Sequence, residues 1–292
     1  MIDLSGPFGL GTFWLGQPEV DEDDATAVVE RALAAGVRYL DTAPLYGAGR
    51  AERRVGAALQ GRGRNDYLLS TKAGRRVVDE AAGVVEYDFS ADGITRSVHD
   101  SLTRLGLDRV DVCLIHDPDD HADQALGEAY PALEKLRSEG LFDAIGVGIM
   151  STALPVRFIR ETDIDVVLIA GRYSLLDRSA ADALLPAAAE RGVSVVVGGV
   201  FNSGILADPD DDDRLFDMTA PSRDRREQAR RIAAICARHG VPVRAAAMQF
   251  ALRDPAVSTA LVGCASVAEL DDNLANVTAA IPDGLWDELA RA

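Results

Sequence analysis

Short runs of β-branched and other apolar residues alternate along the chain with longer amphipathic runs. Apolar positions three and four residues apart, as at Val28, Ala32 and Ala35, are typical of helices. They predict helices near residues 24–35, 52–60, 91–105, 124–138, 154–161, 180–190, 223–239 and 267–277. The short runs predict strands over residues 38–41, 67–71, 110–115, 144–147, 166–169, 193–197 and 259–262, and residues 8–12 are the candidate for a first strand.

The order of these elements predicts the fold class. Strands that alternate with helices imply a parallel sheet, and about eight such units in 292 residues predict an α/β fold, a single-domain (β/α)8 TIM barrel over residues 1–292. A doubly wound sheet is the alternative, but the GLG at Gly9–Gly11 is not followed closely by a helix or completed by a third glycine. Glycines suited to left-handed helix caps follow several helical runs, namely Gly36, Gly106, Gly140, Gly192 and Gly240.

Two predicted loops are longer than usual for this architecture, over residues 73–90 and 201–221. Long loops after strands line the catalytic face of a barrel. The second loop predicts a solvated, mobile acidic segment, with a calcium site as an alternative that lacks EF-hand spacing. Its acidic residues are Asp208, Asp210, Asp211, Asp212 and Asp213.

Four ionisable side chains follow successive predicted strands at their carboxyl ends, in the segments YLDTAPLYG, LLSTKAG and VCLIHD. In a barrel these strand ends open onto one face, where catalytic sites are built. Each residue alone has a structural interpretation as a cap, a salt-bridge partner or a core histidine. Together they predict a proton-handling site formed by Asp41, Tyr46, Lys72 and His116.

The physical roles of these four groups are complementary. A free phenol titrates near pKa ~10, and a neighbouring ammonium lowers that value. Lys72 can supply the ammonium to Tyr46, and Asp41 can hold Lys72 charged and oriented. His116 can hydrogen-bond a substrate oxygen.

Composition narrows the range of partners. The formal net charge of −17 argues against a nucleic-acid partner and favours a small-molecule substrate. No run of eighteen apolar residues predicts a membrane span, and no basic-then-apolar segment opens the chain, so we expect a cytoplasmic protein. The oligomeric state is left open between a monomer and a small homo-oligomer.

The cysteines and histidines do not favour a metal. Cys113, Cys236 and Cys264 are far apart in apolar settings, which predicts buried small hydrophobic residues. His116 and His121 stand five residues apart, which is no established ligand spacing, so no metal site is expected.

Several motifs in order carry a resemblance to a known family: GLGT, LDTAPLYG, STKAG, LIHD, IGVG and VGCASVAELDDN. Over essentially its full length the sequence resembles the aldo-keto reductases. The segment RYSLLDRSAADALLPAAAERGVSVVVGGVFNSGIL is similar to the sugar-oxidising branch, with pyridoxal 4-dehydrogenase close by. The resemblance implies that Tyr46 is the catalytic acid/base, with Asp41, Lys72 and His116 in support.

The resemblance also implies a nicotinamide cofactor. Small residues in GGVFNSGIL would let backbone N–H groups approach a diphosphate. Glu269 and Gly263 stand where NADP-preferring relatives often carry arginine and lysine, which predicts NAD, with NADP less favoured. The usual ring-stacking tyrosine is absent, so Tyr173 or Phe201 is expected to stack on the nicotinamide, while Gly148, Ile149, Met150 and Ser151 replace the usual carboxamide-binding pair. The predicted cofactor-binding residues are Gly11, Thr12, Tyr173, Gly199, Phe201, Asn202, Ser203, Gly204, Gly263, Ser266, Glu269 and Asn273.

The resulting functional hypothesis is an NAD(P)-dependent oxidoreductase that oxidises an aldose at C1 to an aldonolactone. Trp14, Asp117 and Asn202 are the predicted substrate contacts. An aldehyde or ketone reductase, or a pyridoxal 4-dehydrogenase, is the alternative on the same site. A catalytically silent, cofactor-binding regulatory subunit is the alternative outside catalysis.

Overall fold

Eight parallel strands close into a barrel in the computed structural model, which describes residues 4 and 6–291. The barrel strands are β1 Gly9–Gly11, β2 Tyr39–Asp41, β3 Leu68–Ala73, β6 Val112–His116, β7 Ala144–Ile149, β8 Val166–Ala170, β9 Ser194–Gly198 and β10 Val257–Gly263, and β4 Arg75–Asp79 and β5 Val84–Tyr87 form a separate hairpin. Around the barrel each strand pairs with its neighbour, and β1 closes the ring between β2 and β10. The predicted (β/α)8 fold class is confirmed, and all eight predicted strands are present.

Helices cover the outside of the barrel. Their bounds are α1 Glu22–Ala34, α2 Arg50–Leu59, α3 Ala91–Leu105, α4 Ala122–Gln124, α5 Tyr130–Ser138, α6 Ala153–Glu161, α7 Ala180–Arg191, α8 Arg223–Arg238, α9 Val243–Ala251, α10 Val267–Val277 and α11 Asp283–Leu289.

The helix predictions needed three corrections. The single helix expected over 124–138 is interrupted by a π-helical turn at Ala125–Ala129, just before Pro131, which has no N–H to continue the regular hydrogen bonds. Helix α9 was not predicted because VRAAAMQFA is apolar on most sides, with Ala245, Met248 and Ala251 all buried. Helix α11 was also not predicted, because its seven residues are too few to show a period.

The loop expected over 73–90 is largely the β4–β5 hairpin, which corrects that prediction. Arg75 pairs with Tyr87 and Val77 with Val85 in an antiparallel register. The turn between the strands contains Gly83 at φ 70°, a backbone angle that favours glycine. The hairpin follows directly from β3 and therefore stands at the carboxyl end of the barrel.

The acidic loop over 201–221 packs against helix α8. Asp210 and Asp212 lie 3.4 and 3.1 Å from Arg230, and Asp212 also lies 3.6 Å from Arg226. Within residues 4 and 6–291, no group of three or more His, Cys, Asp or Glu side chains is placed to hold a metal ion. The aspartates thus serve as ion-pair partners for a neighbouring helix.

The core has an inner and an outer layer. Val112, Leu114, Leu168 and Val196 fill the barrel interior, and a larger apolar layer lies between strands and helices. The three cysteines are buried, as predicted. No helix in the described part of the chain is long and apolar enough to cross a membrane.

A buried ionic contact ties β3 to the helices outside it. The Glu52 carboxylate accepts hydrogen bonds from Thr71 Oγ1 at 2.6 Å and from Arg104 Nε at 2.6 Å. Glu52 is fully buried on α2, and Arg104 comes from α3. Because Thr71 precedes Lys72, this contact anchors the strand that carries the lysine.

We expect Glu52→Ala to lower the free energy of unfolding by about 3–5 kcal/mol, because it leaves the Arg104 cation buried without its partner. Glu139→Ala is the matched control, since Glu139 faces the exposed Lys135 at 3.9 Å, and its loss should stay below about 1 kcal/mol. Urea unfolding of both variants measures the difference. Equal losses in the two variants would contradict this assignment.

Candidate active site

The four predicted catalytic side chains meet at the carboxyl end of the barrel. Asp41 ends β2, Lys72 lies one residue before the end of β3, and His116 ends β6. Tyr46 lies on the loop between β2 and α2. Asp41, Lys72 and His116 are buried, whereas Tyr46 is only partly covered and faces the mouth. The structure therefore brings together all four residues.

Lys72 is the centre of this cluster. Its ammonium donates to Asp41 Oδ2 at 2.6 Å, to the Thr42 carbonyl at 2.9 Å and to the Tyr46 hydroxyl at 3.0 Å. An ammonium has three N–H donors, so each has a partner. Because the Tyr46 oxygen accepts from Lys72, the phenolic proton is left to point elsewhere, toward a ligand in the mouth.

The charge of Lys72 is secured by its surroundings. Burial alone lowers the pKa of a lysine, because it disfavours the charged form. Here the Asp41 carboxylate, Tyr46 and the hydrogen bonds to both outweigh burial, and the pKa of Lys72 is raised above its usual value. The ammonium is therefore a permanent cation beside Tyr46.

The proton affinity of Tyr46 differs from the sequence prediction. Burial of the hydroxyl raises the pKa of Tyr46, and Lys72 opposes that effect without reversing it, so the pKa stays above its ordinary value. Lys72 does act in the predicted direction, but the predicted net lowering is wrong for this state of the site. The consequence is that Tyr46 carries its proton at neutral pH.

His116 is held neutral. Burial, with the nearby Lys72 and Arg75 cations, places the pKa of His116 well below its ordinary value. The ring meets Tyr46 edge to face at 6.1 Å between centroids. His116 Nδ1 is buried and has no hydrogen-bond partner among the residues described. A neutral imidazole in this position can donate or accept a hydrogen bond without adding charge.

A polar pair lies next to His116 at the rim. Asp117 Oδ2 is 3.2 Å from the Arg75 guanidinium and 3.7 Å from His116 Nε2. Arg75 also donates to the Tyr87 hydroxyl at 2.7 Å, so the β4–β5 hairpin holds the arginine in place. Asp117 has φ 43°, in the left-handed region that Asp adopts more readily than most residues.

An aromatic wall stands on the opposite side of Tyr46. The Phe13 ring packs edge to face against Tyr46, with 5.4 Å between ring centroids. It also packs edge to face against Trp14, with 5.2 Å between centroids. Trp14 is 43% exposed, and its indole lies over Gly263, where an added Cβ would sit 2.9 Å from Trp14 Cδ1. The predicted substrate residue Trp14 thus lies between the catalytic cluster and the predicted cofactor residue Gly263.

The β1 end joins the same region. Gly11 pairs with Asp41 on one side and with Gly263 on the other. Thr12 donates from its hydroxyl to the Asp41 carbonyl at 2.9 Å. These contacts place Gly11 and Thr12 beside Asp41, and their predicted cofactor role stays a prediction.

The loop after β9 turns tightly. Gly199, Asn202, Ser203 and Gly204 have φ of 65°, 44°, 59° and 101°. The Asn202 N–H donates to the Gly199 carbonyl at 2.8 Å, and the Gly204 N–H donates to the Phe201 carbonyl at 3.0 Å. Ser203 Oγ also accepts from Met218 N at 3.0 Å, which folds the long loop back on itself.

Asn202 is buried beside this turn. Its Nδ2 donates to the Gly171 carbonyl at 3.1 Å, and its Oδ1 is buried without a partner in the described part of the chain. Ser151 Oγ, after β7, is likewise buried and unpaired within the described residues. Asn202 is 1% exposed, and its predicted cofactor and substrate roles both stay predictions.

The start of α10 holds the other predicted cofactor residues. Ser266 Oγ accepts from Glu269 N at 3.2 Å, and Glu269 Oε2 accepts from Ala265 N at 2.7 Å, which caps the helix reciprocally. Arg31 and Arg244 reach this helix but pair with Asp271 and Asp272. Asn273 is buried one turn farther along the helix.

Tyr173 lies three residues after the carboxyl end of β8, and its ring is engaged in an apolar contact. Its ring packs on Phe250 of α9 at 5.1 Å between centroids and is almost fully buried. Burial raises the pKa of Tyr173, with a further contribution from Asp254, which precedes β10. This packing leaves the partly exposed Phe201 as the predicted stacking residue.

Two residues near the site were missing from the sequence predictions. Ser70 lies two positions before Lys72 on β3, and the two-residue period of a strand was a sufficient signal that it shares the lysine's face. Arg75 had no comparable signal, because its place depends on the unpredicted hairpin.

The chain is similar to known proteins over nearly its whole length. The Aldo/keto reductase family model matches residues 7–292. D-threo-aldose 1-dehydrogenase from a Pseudomonas species is 43% identical over 94% of this chain and 89% of that protein. Pyridoxal 4-dehydrogenase from Microbacterium luteolum is 36% identical over 96% of this chain and 92% of that protein.

A solved structure shows the same fold. The holo form of an aldo-keto reductase from Bacillus halodurans superposes with a TM-score of 0.80 at 28% identity, covering 98% of this chain and 91% of that one. The family model, the two relatives and this structure all span nearly the whole chain. This protein therefore belongs to the Aldo/keto reductase family, oxidoreductases that use nicotinamide cofactors.

Proposed function

We propose that this protein is an NAD-dependent aldose 1-dehydrogenase that oxidises a sugar at C1 to its lactone. The observation that carries the proposal is the 3.0 Å hydrogen bond from the Lys72 ammonium to the Tyr46 hydroxyl at the barrel mouth. It supplies a phenol able to exchange a proton beside a permanent cation. The 43% identity to D-threo-aldose 1-dehydrogenase supports a sugar as the substrate.

Residues of this chain fit a nicotinamide cofactor. The positive-φ turn from Gly199 to Gly204 would hold the diphosphate. Ser151 Oγ and Asn202 Oδ1, which are buried without partners in the residues described, would meet the polar groups of the nicotinamide end. Phe201 would stack on the ring.

The reaction separates a hydride from a proton. A bound oxidised nicotinamide would supply the acceptor for the hydride that leaves C1. Tyr46, as its phenolate, takes the proton from the anomeric hydroxyl, a C1=O double bond forms, and the proton then passes to solvent. Because the pKa of Tyr46 is raised by burial, its basic form is scarce at neutral pH, and oxidation should accelerate as the pH rises.

Neutral His116 and the rim select the substrate. His116 would hydrogen-bond the reacting oxygen without competing for its proton. Asp117 accepts hydrogen bonds, and Arg75, 3.2 Å away, donates them, so the pair matches neighbouring hydroxyl groups of a sugar. Trp14 would cover one face of the sugar ring.

Pyridoxal oxidation is the second candidate. The 36% identity to pyridoxal 4-dehydrogenase favours it, as does the aromatic wall of Phe13 and Trp14, which suits a flat ring. The Arg75–Asp117 pair instead favours a sugar, because it can donate and accept hydrogen bonds with several hydroxyl groups.

A screen of free aldoses and pyridoxal with NAD tests the function, with absorbance of the reduced cofactor as the signal. We expect turnover with one or more aldoses and a loss of about 10²–10⁴-fold in kcat for Tyr46→Phe, which keeps the ring but not the exchangeable proton. Tyr46→Phe should still bind the reduced cofactor with the affinity of the wild type. Binding of the reduced cofactor without turnover on any substrate would support a silent regulatory subunit instead.

Cofactor choice provides a separate test. The first turn of α10 carries Glu269, whose negative charge would repel an adenosine 2′-phosphate. We therefore expect a higher kcat/KM with NAD than with NADP, and Glu269→Arg should raise the NADP value by roughly 10–100-fold, the range of one charged hydrogen bond. Glu269→Gln is the control, because it keeps an acceptor for the Ala265 N–H and removes only the charge. A wild type that prefers NADP would rule out this part of the proposal.

Replacing Asp117 tests whether the Asp117–Arg75 pair binds the sugar. Asp117→Ala should raise the KM for the aldose about tenfold or more, because sugar hydroxyls lose their acceptor and Arg75 loses its partner. Asp120→Ala is the matched control, since Asp120 is an exposed carboxylate three residues away. An unchanged KM in Asp117→Ala would exclude Asp117 from substrate binding.

A further inference from the structure

The hydrogen-bonded cluster continues beyond Asp41, deeper into the barrel. Ser70 Oγ lies 2.6 Å from Asp41 Oδ1, and the Tyr39 hydroxyl lies 2.9 Å from Ser70 Oγ. Tyr39 is 2% exposed and Ser70 is fully buried. Five side chains therefore form one line, in the order Tyr39, Ser70, Asp41, Lys72 and Tyr46.

The chemistry of the donors fixes the direction of each hydrogen bond. An ionised carboxylate only accepts, so Ser70 donates to Asp41 and its oxygen is left to accept from Tyr39. Burial, with Asp41 nearby, raises the pKa of Tyr39 well above its ordinary value, so this phenol keeps the proton that it donates. The Ser70 and Tyr39 hydroxyls then both point their positive ends toward Asp41.

We propose that Ser70 and Tyr39 are positioning residues that control, through Asp41 and Lys72, how readily Tyr46 exchanges its proton. This inference rests on the proposed acid/base role of Tyr46. Asp41 Oδ1 is held by Ser70 while Oδ2 is held by Lys72, so both carboxylate oxygens are engaged and the side chain is fixed. The fixed carboxylate in turn holds the Lys72 ammonium against Tyr46.

The sign of the effect follows from the charges. The Ser70 hydroxyl places positive charge density on Asp41 and so weakens the negative potential that Asp41 exerts on Tyr46. Without this hydroxyl, Asp41 also attracts the Lys72 protons more strongly, which weakens the hydrogen bond to Tyr46. Both changes make the Tyr46 phenolate harder to form. The charged or titratable groups facing Tyr46 are Asp41, Lys72, Asp117 and His116. Of these, Ser70 hydrogen-bonds Asp41, and Tyr39 acts on Asp41 through Ser70.

The test compares Ser70→Ala and Tyr39→Phe with the wild type across a pH series in the oxidative direction. We expect Ser70→Ala to lower kcat at pH 7 about tenfold, the effect of one pKa unit in Tyr46, with KM changed less than twofold and the profile moved to higher pH. Tyr39→Phe should shift the profile in the same direction by roughly half as much, because it removes only the second hydrogen bond. Ser70→Thr restores a hydroxyl and should recover most of the rate.

Tyr67→Phe is the matched control. Tyr67 is also a buried tyrosine, immediately before β3, and its ring packs against the Arg64 guanidinium at 4.9 Å, outside the line of five side chains. Removing the Tyr67 hydroxyl should leave the pH profile of kcat unchanged. A Tyr67→Phe shift as large as that of Tyr39→Phe would overturn the proposal.

A measurement without turnover separates this inference from the proposed function. The phenolate absorbance of each protein is measured with and without the additional substitution Tyr46→Phe. The difference between the two reports ionisation of Tyr46 alone. A higher pKa of Tyr46 in Ser70→Ala supports the positioning role even if no aldose is oxidised. An unchanged ionisation in both Ser70→Ala and Tyr39→Phe overturns it even if the dehydrogenase activity is established.

Discussion

A single buried ammonium organises the site of this protein. Lys72 is 2% exposed, and its three N–H groups have three partners: a carboxylate, a backbone carbonyl and a phenol. A cation so poorly hydrated is tolerated only because the anion and the acceptors are already in place. The barrel provides this, since neighbouring parallel strands bring Asp41 and Lys72 side by side, and the loop from Asp41 returns Tyr46 over them.

Burial shifts the pKa values of Tyr46 and His116 in opposite directions and leaves both side chains neutral. It raises the pKa of Tyr46 and lowers the pKa of His116, because in each case the charged form is disfavoured. The site thus consists of a neutral acid and a neutral hydrogen-bonding ring beside a fixed ion pair. Such an arrangement suits hydride chemistry, where the protein must move one proton without holding a mobile charge. It also allows the same residues to serve either reaction direction.

The segments outside the barrel strands determine what the site can recognise. The β4–β5 hairpin brings Arg75 to Asp117, and the loop after β9 folds back through Ser203 onto Met218. The start of α10 carries the Glu269 carboxylate. In the proposed function, the strand ends would provide the general acid/base chemistry, and the hairpin, the loop and the helix would select the sugar and the cofactor.

The barrel and its four site residues were predictable from sequence, because apolar periodicity marks strands and helices, and the ends of parallel strands share one face. Ser70 was predictable in the same way but was overlooked. The net rise in the pKa of Tyr46 was not predictable, since it depends on how deeply the hydroxyl is buried. The inward packing of Tyr173 on Phe250 and the approach of Arg75 to Asp117 were equally hidden. Local pattern determines which residues follow each strand, whereas solvent exclusion and contacts between distant segments arise only when the chain is packed in three dimensions.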